Sequence, residues 1–252
     1  MYAVEIKFFI KSVKPNPNYL NLLNLWIAAL RFNGQITGYH YPAILHGNEV
    51  SLFFNIPEEN ALDKRFYDSY ANECEVKMAK KGIVKKETIL KGKNPNGSVA
   101  CKCSKRDSMI MYTSAFNIES PIKCGDCFRP IPLYRLKNLK HLTREQLIRW
   151  KENYGACDLL FINSEIGEEF SYNQLSHHKS QLSESGIDLR EEIEDATRTP
   201  VFYYLLRYSN SKEMSELIEC PSCGNEWILD KQWLNKFDFK CNLCRLISIR
   251  SD

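Results

Sequence analysis

No stretch of this 252-residue chain approaches eighteen uninterrupted apolar residues, so neither a bilayer-spanning helix nor a membrane partner is expected. A basic-then-apolar leader is missing too. Met1-Tyr-Ala-Val-Glu-Ile-Lys7 opens directly on polar–apolar alternation, and the expected compartment is the cytoplasm. Catalytic motifs are absent: there is no Gly-x-Gly-x-x-Gly, no Walker loop, no Gly-x-Ser-x-Gly elbow and no His-Glu-x-x-His. The deaminase signature needs His-x-Glu ahead of its Cys-x-x-Cys, and that triplet does not occur. Of five histidines, only His177 and His178 stand together; neighbours on a helix point about 100° apart and do not share one metal ion. His40, His46 and His141 have no partner that spacing identifies. These absences predict a protein that is not an enzyme.

What the chain has instead is ten cysteines. Cys220-Pro-Ser-Cys223 and Cys241-Asn-Leu-Cys244 are two Cys-x-x-Cys knuckles with seventeen residues between them, a spacing that lets four thiolates enclose one tetrahedral zinc ion. The intervening Glu226-Trp-Ile-Leu and Phe237-Asp-Phe-Lys runs read as short strands held by that metal, which makes residues 218–250 a zinc ribbon. A closed four-sulfur site has no open coordination position, so it predicts folding and not catalysis. A second set, Cys101-Lys-Cys103 and Cys124-Gly-Asp-Cys127, has twenty residues between its inner pair. Gly125 would let the later pair turn tightly toward a second zinc. Buried apolar cysteines, a reversible disulfide and a redox pair remain alternatives at these positions, although the prolines in Phe128-Arg-Pro-Ile-Pro oppose the helix a redox pair would begin. Thiolates without haem or cluster spacing favour zinc over iron. Cys74 and Cys157 read as core residues.

With 44% hydrophobic and 12% aromatic residues there is ample material for a packed core. The pattern is α+β: a mixed N-terminal α/β unit over 1–95, a central zinc-stapled α+β region over 96–212, and the C-terminal ribbon over 213–252. Strands are expected at 2–10, 36–41, 49–56, 108–116, 159–162 and from Pro200. Helices are expected at 19–32, 61–81, 143–154 and 187–197, with turns at Pro15-Asn-Pro and His46-Gly-Asn and a linker over Lys91–Gly97.

Ser120-Pro-Ile-Lys-Cys-Gly-Asp-Cys-Phe-Arg-Pro-Ile-Pro-Leu-Tyr-Arg-Leu136, Pro200-Val-Phe-Tyr-Tyr-Leu, Cys220-Pro-Ser-Cys-Gly-Asn-Glu-Trp and Phe237-Asp-Phe-Lys-Cys-Asn-Leu-Cys-Arg-Leu-Ile-Ser resemble a bacterial family described as zinc-ribbon-containing and suspected of binding nucleic acid. The likeness spans roughly residues 100–250. Some relatives beside polymorphic toxin genes look like immunity proteins, so the resemblance implies either a cognate toxin domain or nucleic acid as partner.

Charge is segregated. Residues 77–106 carry ten lysines and arginines against Glu87, a balance of +9. This is the one stretch read as able to grip RNA or DNA, though few aromatics are interleaved with it. Residues 165–198 carry nine acids against Lys179, Arg190 and Arg198, a balance of −6, which complements a basic partner. Residues 216–252 have five basic against six acidic residues, and a four-thiolate zinc site adds about two more negative charges. The ribbon therefore reads as a poor phosphate clamp. The expectation is an immunity protein that occludes a toxin's active groove, with nucleic-acid binding as the alternative and a redox-sensing regulator third.

Overall fold

Alternating polarity makes Tyr2–Ile10 the first strand, β1, and its even positions Val4, Ile6, Phe8 and Ile10 are buried. The computed structural model describes residues 1–11, 17–38, 41–207 and 218–250. The chain divides into two units, the first made of residues 1–100, 118–120 and 132–137 and the second of 101–117, 121–131 and 138–252.

In the first unit, β1 is followed by α1 (Pro17–Phe32), β2 (Ala43–His46), β3 (Glu49–Ile56), α2 (Ser69–Lys80) and β4 (Ile83–Lys93). The sheet is antiparallel with order β2-β3-β1-β4, the split βαβ arrangement of ferredoxin-like domains. Leu23, Trp26, Ile27 and Leu30 recur at helical spacing on α1 and are buried; Trp26 meets Phe8 edge-on at 5.4 Å.

Three expectations for this unit change. The helix expected over 61–81 starts only at Ser69, because Asp68 caps it by accepting the Ala71 N–H at 2.9 Å, and Lys64–Phe66 form a separate 3₁₀ turn. The lysine-rich stretch after Gly82, for which the sequence signals no strand, is the edge strand β4, along which only Ile83 is buried and which takes in residues 91–93 of the expected linker. Lysine on an exposed edge discourages pairing with another chain. Of the strand expected over 36–41, Thr37 makes a single bridge to Asn55, and residues 39 and 40, including His40, lie outside the described residues, as does most of the Pro15-Asn-Pro turn.

The second unit contains β5 (Met109–Met111), β6 (Ile122–Cys124), α3 (His141–Asn163), α4 (Glu168–Ser176), α5 (Gln181–Thr197), β7 (Val201–Tyr204), β8 (Ile228–Trp233), β9 (Phe237–Cys241) and β10 (Leu246–Ser248). Its sheet has order β6-β5-β7-β10-β9-β8; β7 is parallel to both its neighbours and the other pairs are antiparallel. The ribbon strands therefore continue the central sheet, with β10 between β7 and β9. Leu159–Ile162 form the last turns of α3 and not a strand, since the buried stripe Leu147, Trp150, Tyr154, Asp158 carries helical spacing past Tyr154. Polar Glu168–Ser176 forms α4, which hydrophobic periodicity did not signal. His177 and His178 follow that helix, with their rings stacked at 5.4 Å. The chain is thus a mixed α+β protein with two sheets, as its pattern predicts.

Asp158 is buried on α3 and accepts the Ala115 N–H at 2.7 Å. Burial raises its pKa against the pull of that N–H. The native state thus holds its proton to higher pH than the unfolded chain, and stability falls as pH rises from the ordinary aspartate value, about 3.9, through the raised one. Asp158→Asn keeps an acceptor for Ala115 and removes the buried charge. Its melting temperature is expected to exceed wild type at pH 7 and to converge with it near pH 3; equal curves at both pH values would refute the burial cost.

Candidate metal centres

The eight cysteines singled out by spacing form two groups: Cys101, Cys103, Cys124 and Cys127, and Cys220, Cys223, Cys241 and Cys244. Within each group all four sulfurs lie within 4.8 Å of one another. Cys101 Sγ to Cys127 Sγ is 3.7 Å, and Cys223 Sγ to Cys241 Sγ is also 3.7 Å. A disulfide is about 2.05 Å, whereas the edge of an M–S tetrahedron with 2.3 Å bonds is about 3.8 Å.

The backbone explains the convergence. Cys220 N donates to Asn225 O at 2.7 Å and Gly224 N to Cys220 O at 2.9 Å. Cys124 N donates to Arg129 O at 2.9 Å and Phe128 N to Cys124 O at 2.9 Å, the same pattern residue for residue. The residue after each Cys-x-x-Cys is left-handed: Gly224 at φ 74°, Phe128 at 57° and Arg245 at 55°. Only the first is the residue type that favours such a turn, which is why spacing had to reveal the other two. Gly125 has a different role from the one its type predicts. Its φ is not positive; instead its N–H bonds Ser108 O at 2.8 Å, and a Cβ there would fall 2.0 Å from Ser108 Oγ.

In every knuckle the first cysteine is buried and the second half-buried. Cys103 N donates to Cys101 Sγ at 3.4 Å, and Cys244 N to Cys241 Sγ at 3.3 Å. The Asn225 amide holds the Cys223 thiol down to about 7, while burial pushes Cys220 up to about 12. Burial likewise raises Cys124 and Cys244, and the Cys127 thiol raises Cys103; at Cys127 burial is outweighed by the Arg129 amide and the neighbouring thiols. Sulfurs so placed fit a divalent ion, which supplies the positive charge that buried thiolates need. Each tetrad can hold one metal ion in a closed shell. Cys74 and Cys157 are half-buried elsewhere, with pKa values raised by burial.

The charged stretches behave differently from each other. Lys77 pairs with Glu73 at 3.5 Å, Lys91 with Glu5 at 2.5 Å and Lys86 with Glu49, so the basic run is partly neutralised by its own unit. On α5, Glu184, Asp188 and Glu192 stand one turn apart along one wall of a groove of about 500 Å³. Gln146, Arg149 and Asn153 of α3 line it with them. Among the described residues, Glu165, Glu168, Glu169, Glu184 and Asp188 have no ion pair within 4.0 Å. No described helix is long and apolar enough to cross a membrane.

Residues 103–206 match the family described as domain of unknown function DUF2310; residues 1–92 match DUF8589 and 209–251 match DUF8594, both also domains of unknown function. An uncharacterized protein of Haemophilus influenzae is 35% identical over 255 residues, covering 98% of this chain and 97% of its own length. A second uncharacterized protein of the same organism is 44% identical over 141 residues, 55% of this chain and 69% of its own. The chain belongs to the family of the first of these proteins.

Proposed function

We propose that this chain is a non-enzymatic cytoplasmic binding protein stapled by two structural zinc ions, and that it acts as an immunity protein, covering the active groove of a cognate toxin domain. The observation that carries the reading is the carboxylate row Glu184, Asp188, Glu192 facing α3 across an open groove. Glu184 and Asp188 have no ion pair among the described residues, while Glu192 accepts from Thr143 Oγ1 at 2.7 Å; carboxylates at one-turn spacing complement a basic partner and speed its capture, and a toxin acting on nucleic acid presents such a surface. Two closed four-thiolate sites support a rigid scaffold without adding a reactive position. The competing nucleic-acid reading through residues 77–106 is weakened by the pairing of Lys77, Lys86 and Lys91.

Tagged chain captured from nuclease-treated native lysate and washed at moderate salt is expected to bring down one stoichiometric protein. Glu184→Lys with Asp188→Lys should weaken that capture more than tenfold at unchanged melting temperature, because both side chains are exposed. A partner retained by the double variant would move the interface elsewhere. Recovery of nucleic acid alone would defeat the immunity reading.

A further inference from the structure

Three cations of the second unit rest on aromatic rings around the β8–β9 hairpin. Lys240 Nζ lies 3.9 Å from the Trp233 ring centre and 4.6 Å from that of Phe202. Arg245 Cζ is 5.5 Å from the Phe202 ring, and Lys236 Nζ is 5.2 Å from Tyr112 and 5.5 Å from Phe128. The rings form one strip, with centroid steps of 5.2 Å from Phe202 to Trp233, 5.9 Å on to Phe237 and 5.5 Å on to Phe128. Phe202 and Phe237 are its buried floor; Trp233, Tyr112 and Phe128 keep part of their surface in solvent. Strand register places Phe202, Ile247 and Lys240 on the sheet face opposite Tyr203, whose ring packs on Trp150 of α3.

Two of the three cations lack counter-charge. Among the described residues neither Lys236 nor Lys240 has a carboxylate within 4.0 Å, and Arg245 reaches only Glu194, at 3.7 Å. Asp238, the nearby acid of β9, is engaged by Gln232 Nε2 at 2.9 Å and Arg250 N at 2.7 Å. A charge count over the ribbon hides this arrangement, because it sums cations on the strip with acids placed elsewhere.

We propose that this strip binds single-stranded nucleic acid without base-specific readout. Phosphates would meet Lys236, Lys240 and Arg245, while bases stack on the ring surface that Trp233 and Phe128 leave in solvent. An acidic protein segment would satisfy the cations but leave the rings unused. The site is separate from the α3–α5 groove and does not depend on the immunity reading.

The test is fluorescence anisotropy of a labelled mixed-sequence oligonucleotide of about twelve nucleotides with the zinc-loaded full chain. Log affinity should fall with log salt at a slope of about −2, from roughly −0.7 per phosphate over three contacts. Lys236→Ala and Lys240→Ala should each reduce the slope by about 0.7 and weaken binding several-fold; Trp233→Leu should weaken it about tenfold. Lys86→Ala, on β4, should change nothing. Zinc content is measured in each variant. If Lys240→Ala loses an ion from neighbouring Cys241, Lys236→Ala decides alone. No binding at low salt, wild-type binding by Lys236→Ala, or equal displacement by polyglutamate would overturn the proposal.

Discussion

Cys241→Ser is expected to lower the metal content from two ions per chain to one and to unfold the β8–β9–β10 hairpin region. Cys241 is buried at the end of β9 and stands opposite Leu246 of β10, so the ligand and the strand pairing share one residue. Structural zinc in small ribbons contributes on the order of 10 kcal/mol, comparable to the whole net stability of a domain, so hydrophobic contacts in this region cannot compensate. The loss should spread, because β10 also pairs with β7 in the middle of the sheet. Metal analysis and thermal melting of Cys241→Ser beside Cys157→Ser, which touches neither tetrad, check this. Two ions and an unchanged melt in the first variant would rule out a structural site.

Two glycines in helices should respond to alanine with opposite signs. At Gly186, on α5, a Cβ would lie 2.3 Å from Tyr203 Cε2 and 2.6 Å from Trp150 Nε1. Both rings are buried, and Trp150 Nε1 also donates to Leu182 O at 3.2 Å, so neither can move without losing packing or a hydrogen bond. Overpacking of this kind costs about 3 kcal/mol, which exceeds the roughly 1 kcal/mol that alanine returns in helix propensity. At Gly155, on α3, the nearest atom is Ala115 Cα at 3.7 Å, ordinary contact, and only the propensity gain remains. Gly186→Ala is therefore destabilised by about 2 kcal/mol and Gly155→Ala stabilised by about 1 kcal/mol. Denaturant titration of the pair measures both, and a Gly186→Ala variant as stable as wild type or more so would show that α5 is not locked against Tyr203.

Local chemistry was legible in the sequence; placement across the chain was not. Cysteine spacing identifies both tetrads, because each knuckle is a single turn whose ligands lie close in sequence. The helical stripe of α1 and the alternation of β1 and β3 are equally local. The strand β4 was hidden because an edge strand buries so little that lysines erase its alternation. Leu159–Ile162 misled in the reverse way: four apolar residues look like a buried strand, yet Leu159 and Ile162 are exposed on a helix. The parallel pairing of β10 with β7 joins residues more than forty positions apart and leaves no pattern in either segment. A charge count along the chain likewise does not show Lys236, Lys240 and Arg245 gathered on one aromatic strip, since it sums what the fold sorts by face.

The position of β10 also bears on the order of assembly during synthesis. β5, β6 and β7 all leave the ribosome before Leu246–Ser248, so the nascent sheet presents the open side of β7 until the second pair of ribbon cysteines has also emerged. Closure of that edge coincides with completion of the Cys220–Cys244 tetrad. A cell short of metal would accumulate chains with that edge open, and the first visible symptom would be self-association through β7.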